Sequence, residues 1–280
     1  MNYIKTGLLL LILTLLLVWI GSLFGGARGA LIAFVFALIL NGVSYWHSDK
    51  IVLKIYNAKE LPERQFHHLY NLVKELTDSA GLPMPRIYMV ENKSPNAFAT
   101  GRNPQKAVVC VTKGLLELLN EDELRGVLAH ELAHVKNRDT LIMTATATIA
   151  GAVMVLASMA RWAAIFGGYS RDKRASGSLI SLIAISILAP IAALVVQLAI
   201  SRSREYAADR QGAYFAKNPA GLANALKRLE QGVKSAPMRA PTQTAHLFIV
   251  NPLRASFIAN LFSTHPPIEE RIRRLRAMKL

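Results

Sequence analysis

Asn120-Glu121-Asp122-Glu123-Leu124-Arg125-Gly126-Val127-Leu128-Ala129-His130-Glu131-Leu132-Ala133-His134 is the stretch from which the rest of the chain is best read. Asn120 suits a helix N-cap, and Glu123, three residues on, completes a capping box. Leu124, Val127, Leu128, Leu132 and Val135 then repeat at helical spacing. His130 and His134 are four apart and share a helix face, their Cβ atoms ~5–6 Å from each other. Both imidazoles therefore reach one metal ion, with Zn–N bonds of ~2.0–2.1 Å. Glu131 sits beside the first of them and points its carboxylate at a water instead of the metal. A surface helix with two histidines would show the same apolar periodicity, so the H-E-x-x-H pattern itself carries the reading. The pattern points to metal-assisted hydrolysis.

A catalytic zinc takes three protein ligands and leaves one position open. Composition offers Glu205, Asp209, His246 and His265 for the third. His134 lies just before one uncharged run and Glu205 just after the next, so closing that pair of runs as a hairpin brings Glu205 near the histidine helix.

The uncharged runs dominate the composition. Residues 6–27, 29–48, 140–160 and 175–201 contain no formal charge, and hydrophobic residues make up 52% of the chain. Roughly 20 apolar residues span a hydrocarbon core, so four membrane segments are expected, the first two as a retained hairpin. Lys50, Lys54 and Lys59 follow that hairpin and place what comes next on the cytosolic side. The loop of the second pair carries Arg161, Arg171, Lys173 and Arg174 against Asp172, which opposes that tendency, and Pro190 kinks the fourth segment. No nucleic-acid motif accompanies the net charge of +15, which lies largely at the membrane flanks and in the last ten residues. The single cysteine, Cys110, reads as a core residue of a strand and excludes an intrachain disulfide.

Two polar blocks remain. In the first, Phe66, Leu69, Tyr70, Val73 and Leu76 predict a helix ending near Gly81. Short strands are expected at 86–90, 97–100 and 107–111, followed by a short helix over 113–119. No Pro or Gly lies between Gly126 and Gly151, so the histidine helix is expected to run directly into the third hydrophobic segment. The second block predicts helices over 203–216 and 220–233, and a last one after Pro266-Pro267 that carries Arg271, Arg273, Arg274 and Arg276. Asn96, Ala97 and Phe98 are expected on an exposed edge strand that binds an extended peptide by main-chain pairing.

Several stretches resemble one family. Glu205-Tyr206-Ala207-Ala208-Asp209 is similar to the E-x-x-x-D helix of gluzincins. Together with His130-Glu131-Leu132-Ala133-His134, Ser94-Pro95-Asn96-Ala97-Phe98-Ala99-Thr100-Gly101 and Ser263-Thr264-His265-Pro266-Pro267-Ile268-Glu269-Glu270-Arg271, it resembles the HtpX membrane proteases, distant relatives of the CAAX prenyl-protein endopeptidases. The resemblance covers nearly the whole chain. It implies that His130, His134 and Glu205 bind one zinc ion per subunit. It further implies that Glu131 is the catalytic acid and base, and that Asp209 orients His130 from behind. His265, or an arginine within 201–204, is the candidate donor to the developing oxyanion. It also implies polypeptide substrates, membrane or misfolded proteins in stress-related quality control, and a multi-pass place in a bacterial inner membrane with the catalytic part in the cytosol.

The expected fold is mainly α with a small β-sheet (α+β). An N-terminal transmembrane hairpin occupies 1–47, and the first part of a gluzincin-like protease domain 48–139. A second hydrophobic hairpin takes 140–201, and the second part of the protease domain, with the third ligand, 202–280. Other readings are a dedicated processing protease of the prenyl-protein type, a zinc transporter, or a non-catalytic metal-binding scaffold. Four hydrophobic segments are few for the enclosed chamber of the first. Lys136, Asn137, Arg138 and Asp139 separate the motif from the membrane run, against the second. An intact Glu131 speaks against the third.

Overall fold

The structure is a computed structural model that describes residues 2–166, 202–238, 240–251 and 266–280. His265, the hydrophobic segment 175–201 and the charged loop from 167 onward lie outside the described residues. Among the described residues the fold is mostly helical around one small mixed sheet.

Helix α1 covers Asn2–Ile55. It is not a straight rod. The Asn41 side-chain amide donates to Thr14 Oγ1 at 2.9 Å, although a straight helix would hold residues 27 positions apart ~40 Å away. Gly26 takes φ +56, and a Cβ on Gly21 would stand 2.5 Å from the Gly29 carbonyl oxygen. The chain therefore doubles back near Gly26, where glycine tolerates the left-handed backbone. By length and composition, Gly26–His47 is a candidate membrane span.

The sheet has the order β1-β2-β4-β3, with β1 Lys59–Glu60, β2 Arg86–Val90, β3 Ala97–Thr100 and β4 Val108–Thr112. β2 and β4 run parallel, with Arg86 opposite Val108 and Val90 opposite Thr112. β3 is antiparallel to β4, with Ala97 opposite Val111. β4 is buried throughout because it is covered on both faces. Val109 and Val111 pack into the core under the helices, whereas Val108 and Cys110 join a second core with Tyr56, Ile142, Met143 and Phe248. Burial raises the Cys110 thiol well above its ordinary range and leaves it inert.

Helix α2 spans His67–Ala80 and stops at Gly81, whose φ of +65 makes a left-handed cap. The short α3, Lys113–Leu118, leads to α4, Glu121–Lys136. The Asn120 capping box is complete: Asn120 Oδ1 accepts from the Glu123 backbone N–H at 2.9 Å, and Glu123 Oε2 accepts from the Asn120 N–H at 3.0 Å. α4 is central. It packs against α2, against α6 (Arg202–Ala216) and against α7 (Pro219–Ser235). The last helix, α8, spans Ile268–Arg276 and lies on α7 and α6.

Two sequence expectations need correction. The histidine helix does not continue into the hydrophobic segment. It ends at Lys136, Arg138 takes φ +58, and α5 (Asp139–Phe166) starts afresh. The break turns Asp139 back toward the end of α4 without any Pro or Gly. The strand at 97–100 does form one edge of the sheet, but it is not exposed: Asn96, Ala97, Phe98 and Ala99 are all buried. The segment 248–250 covers it. Ile249 N–H donates to the Ala97 carbonyl at 3.2 Å, and the Asn96 amide donates to the Val250 carbonyl at 2.7 Å. Phe98 packs edge-on against Phe248, 5.2 Å between ring centres.

Candidate metal centre

Every residue from Val127 to Val135 is buried, so the two histidines of α4 face the protein interior. Helix α6 comes unusually close to them. A Cβ on Gly212 would stand 2.8 Å from His130 N, so only glycine allows this approach of the two backbones. Glu205 and Asp209, two turns and one turn before Gly212 on the same face, are thereby held against the histidines.

The ε nitrogens of His130 and His134 lie 3.2 Å apart. Glu205 Oε1 is 3.5 Å from His134 Nε2, and Glu205 Oε2 is 3.9 Å from His130 Nε2. Each imidazole has a carboxylate behind it. His134 Nδ1 is 3.2 Å from Asp139 Oδ2, and His130 Nδ1 is 3.0 Å from Asp209 Oδ1, the latter somewhat off the ideal hydrogen-bond line. With both δ nitrogens directed at carboxylates, the two ε nitrogens turn their lone pairs toward each other and toward Glu205. That arrangement calls for a cation. Two nitrogens bound tetrahedrally at ~2.0–2.1 Å would stand ~3.3 Å apart, close to the observed separation. Two imidazoles and one carboxylate, each imidazole backed by an acceptor, form a donor set that fits zinc.

Among the described residues, His130, His134 and Glu205 are the group whose ligand atoms converge in this way. His246 is elsewhere: its Nε2 lies 3.0 Å from the Met143 carbonyl oxygen, in the core beside α5. Asp209 is also not part of the converging set, because its carboxylate is engaged behind His130.

What engages Asp209 is Arg271, a residue that reads in the sequence as one of several tail arginines. It is fully buried. Its Nη2 and Nε donate to the two Asp209 oxygens at 2.7 and 2.9 Å, its Nη1 donates to the Ile249 carbonyl at 3.0 Å, and Nη1 is 3.7 Å from Glu205 Oε2. The available signal was Leu275, four residues on, which places Arg271 on the buried face of an otherwise charged helix. Asp139 was missed too, since it reads as a charge flanking a membrane run. Arg204, within the stretch expected to supply an oxyanion donor, has Nη1 3.9 Å from Asp139 Oδ1.

The frame sets the protonation of these groups. Burial pushes the Glu131 carboxyl up to about 7, against the nearby His134 and an N–H from Ala99. Burial also opposes charge on Asp209, but Arg271 outweighs it and holds that carboxyl down at about 2. Among the protein groups alone, His130 is lowered to about 4, chiefly by burial, while His134 rises to about 9 because Asp139, Glu205 and Glu131 overcome the same penalty; a cation at the ε nitrogens competes with that proton. Arg271 thus faces a permanently charged partner. Removing one member of a buried ion pair typically costs ~3–5 kcal/mol. Arg271→Ala is expected to lower unfolding stability by about that amount. Arg271→Lys should recover part of it, since an ammonium keeps the charge but not the fork. Denaturant unfolding of the two variants measures the difference.

The profile of Peptidase family M48 matches residues 63–279. A protein named Protease HtpX homolog from Syntrophobacter fumaroxidans is 57% identical over 277 residues, covering 98% of this chain and 98% of that protein. A protein of the same name from Thermococcus kodakarensis is 54% identical over 275 residues, covering 98% and 95%. The crystal structure of S. mikatae Ste24p superposes with a TM-score of 0.51 at 17% identity. That match covers 94% of this chain and 62% of the Ste24p chain, and it shows a common fold.

Proposed function

This chain belongs to peptidase family M48 and is a zinc metalloprotease, and we propose that His130, His134 and Glu205 hold its metal and that Glu131 performs the proton transfers. The observation that carries the assignment is the convergence of two ε nitrogens and one carboxylate in a buried pocket, each imidazole backed by its own acidic partner. Zinc at this position would acidify a water and polarise the scissile carbonyl. Glu131 accepts the water's proton and passes it to the departing amine. Asp209 and Asp139 fix the two imidazoles with their ε nitrogens inward, and Arg271 fixes Asp209. His265 or Arg204 is the proposed donor to the oxyanion.

The substrates are polypeptides. We assign their binding to β3, where an extended peptide would pair along Asn96, Ala97 and Phe98. Such pairing replaces the Ile249 N–H at the Ala97 carbonyl, so the segment 248–250 yields as substrate enters. Main-chain pairing suits a broad sequence preference, and with it membrane or misfolded proteins as substrates under stress.

The protein associates with a membrane. We read Gly26–His47 and the apolar stretch before it as a hairpin through a bacterial inner membrane, with 140–160 and 175–201 as a second pair and the metal centre in the cytosol. The turn near Gly26 and the Lys50, Lys54 and Lys59 flank support this topology. A protease-cleavable tag inserted at Asn103 should resist external protease in intact cells. Cleavage from outside would reverse the orientation.

Casein degradation by detergent-solubilised protein tests the main reading. Activity is expected to disappear with a zinc chelator and to return on adding zinc. Undiminished cleavage in a preparation that contains no zinc would refute it.

A further inference from the structure

At the C-terminal end of the candidate span, a cleft of about 570 Å³ opens between α1, the turn before β2 and the loop after β3. The volume is that of a small-molecule site. Its lining includes Lys50, Arg86, Arg102 and Lys106 against one carboxylate, Asp49, which lies 3.5 Å from Arg86. Among the described residues Lys50, Arg102 and Lys106 form no ion pair. The Arg102 guanidinium stacks on the Trp46 ring, 4.3 Å from its centre, so the cation is positioned by the indole. None of these residues contributes to the metal centre or to the buried core.

The helix leading to this cleft is apolar on the matching face. Ile39, Val43, Trp46 and Lys50 follow at helical spacing along one side of α1, and the first three are exposed by 61%, 42% and 58%. Lys50 closes the row with a charge. One face therefore runs from hydrocarbon through an aromatic residue of the interfacial kind into a basic cavity. A ligand with an acyl chain along Ile39 and Val43 and an anionic phosphate among Lys50, Arg102 and Lys106 matches each part.

We infer that this cleft binds the headgroup of an anionic glycerophospholipid whose acyl chains lie along the Ile39–Val43–Trp46 face. The inference rests on α1 entering a bilayer. It does not depend on which residues hold zinc. Diffuse attraction of acidic lipid to any basic surface falls off within a Debye length. A built cleft instead depends on the particular cations that line it.

The test uses full-length protein in which Trp46 is the sole indole (Trp19→Phe/Trp162→Phe), reconstituted in phosphatidylcholine nanodiscs doped with brominated lipid. Brominated phosphatidylglycerol is expected to quench Trp46 at about tenfold lower content than brominated phosphatidylcholine, given the gain expected from a few basic contacts at a membrane surface. Lys50→Gln/Arg102→Gln should abolish that preference, while Lys54→Gln/Lys59→Gln, which removes equal charge outside the cleft, should keep it. Zinc content and chelator-sensitive casein cleavage report that each variant is folded. Should the first double variant not fold, the comparison of the two lipids in the Trp46-only protein still decides. Equal quenching by both lipids overturns the proposal, as does equal loss of preference in both double variants. Displacement of the lipid by inorganic phosphate at constant ionic strength would make the cleft a free-anion site, and displacement by an oligoglutamate peptide a peptide site. Either result overturns the lipid assignment. Absence of quenching by any brominated lipid would remove the bilayer placement of α1 as well, an outcome distinct from the rest.

Discussion

Glu131→Gln is expected to keep its full complement of zinc and to lose peptide hydrolysis by about 10²–10⁴-fold. The carboxylate sits beside His130 in a pocket where it is almost completely buried. It is not one of the converging ligand atoms, so an amide of the same shape leaves the metal's donors intact. The amide keeps a carbonyl oxygen that accepts the Ala99 backbone N–H, but it takes up no proton at any accessible pH.

 The hydrogen bond from the Ala99 N–H to this side chain therefore survives the substitution, and the proton shuttle does not. Metal analysis and casein cleavage on the same preparation separate the two effects. Equal activity of wild type and variant at matched zinc content would remove Glu131 from the mechanism.

Glu205→Ala should lose stable zinc binding almost entirely, whereas Asp209→Ala should weaken it by only ~10–100-fold. The two carboxylates lie one helical turn apart on α6, and both are buried. They differ in what they face. Glu205 turns its oxygens to both ε nitrogens, at 3.5 and 3.9 Å. Asp209 faces the opposite nitrogen of His130 and is gripped by Arg271. Without Glu205 two imidazoles remain, too few for a stable zinc site. Without Asp209 the His130 ring loses its rotational anchor, and buried Arg271 loses its bidentate partner and keeps, of these carboxylate contacts, only the longer one to Glu205. The second variant should therefore also unfold at lower denaturant concentration. Zinc stoichiometry after purification, with unfolding curves alongside, measures both. A folded Glu205→Ala protein with full zinc beside an Asp209→Ala protein with none would exchange the two roles.

Features set by local chemistry were legible in the sequence. The Asn120 capping box, the two histidines four apart, the helix stop at Gly81 and the strands at 86–90 and 97–100 follow from rules that act over a few residues. Glu205 was reachable because two uncharged runs, read as a hairpin, would return the chain to where it left. Asp139 and Arg271 were not legible in this way. Asp139 reaches His134 only because the backbone breaks at Arg138, a left-handed position that no glycine marks. Arg271 enters the core only because α8 docks on α6 and α7, and its neighbours Arg273 and Arg274 bond instead to Glu270 at the surface. The covering of β3 by residues 248–250 was equally hidden, since that stretch has no periodicity. In each case long-range packing decided, and the only local trace was the spacing of Arg271 to Leu275.

The buried arginine on α8 has a consequence for the order in which the protein is made. His130 and Arg271 are 141 positions apart yet meet in one pocket. A nascent chain that has already delivered α1 and the histidine helix still lacks Glu205, Asp209 and the arginine that steadies them. Glu205 follows His134 by 71 positions, and the arginine that grips Asp209 comes 62 positions after that carboxylate. The complete frame of the pocket is therefore expected only once α8 has been made and docked, an order set by the sequence itself.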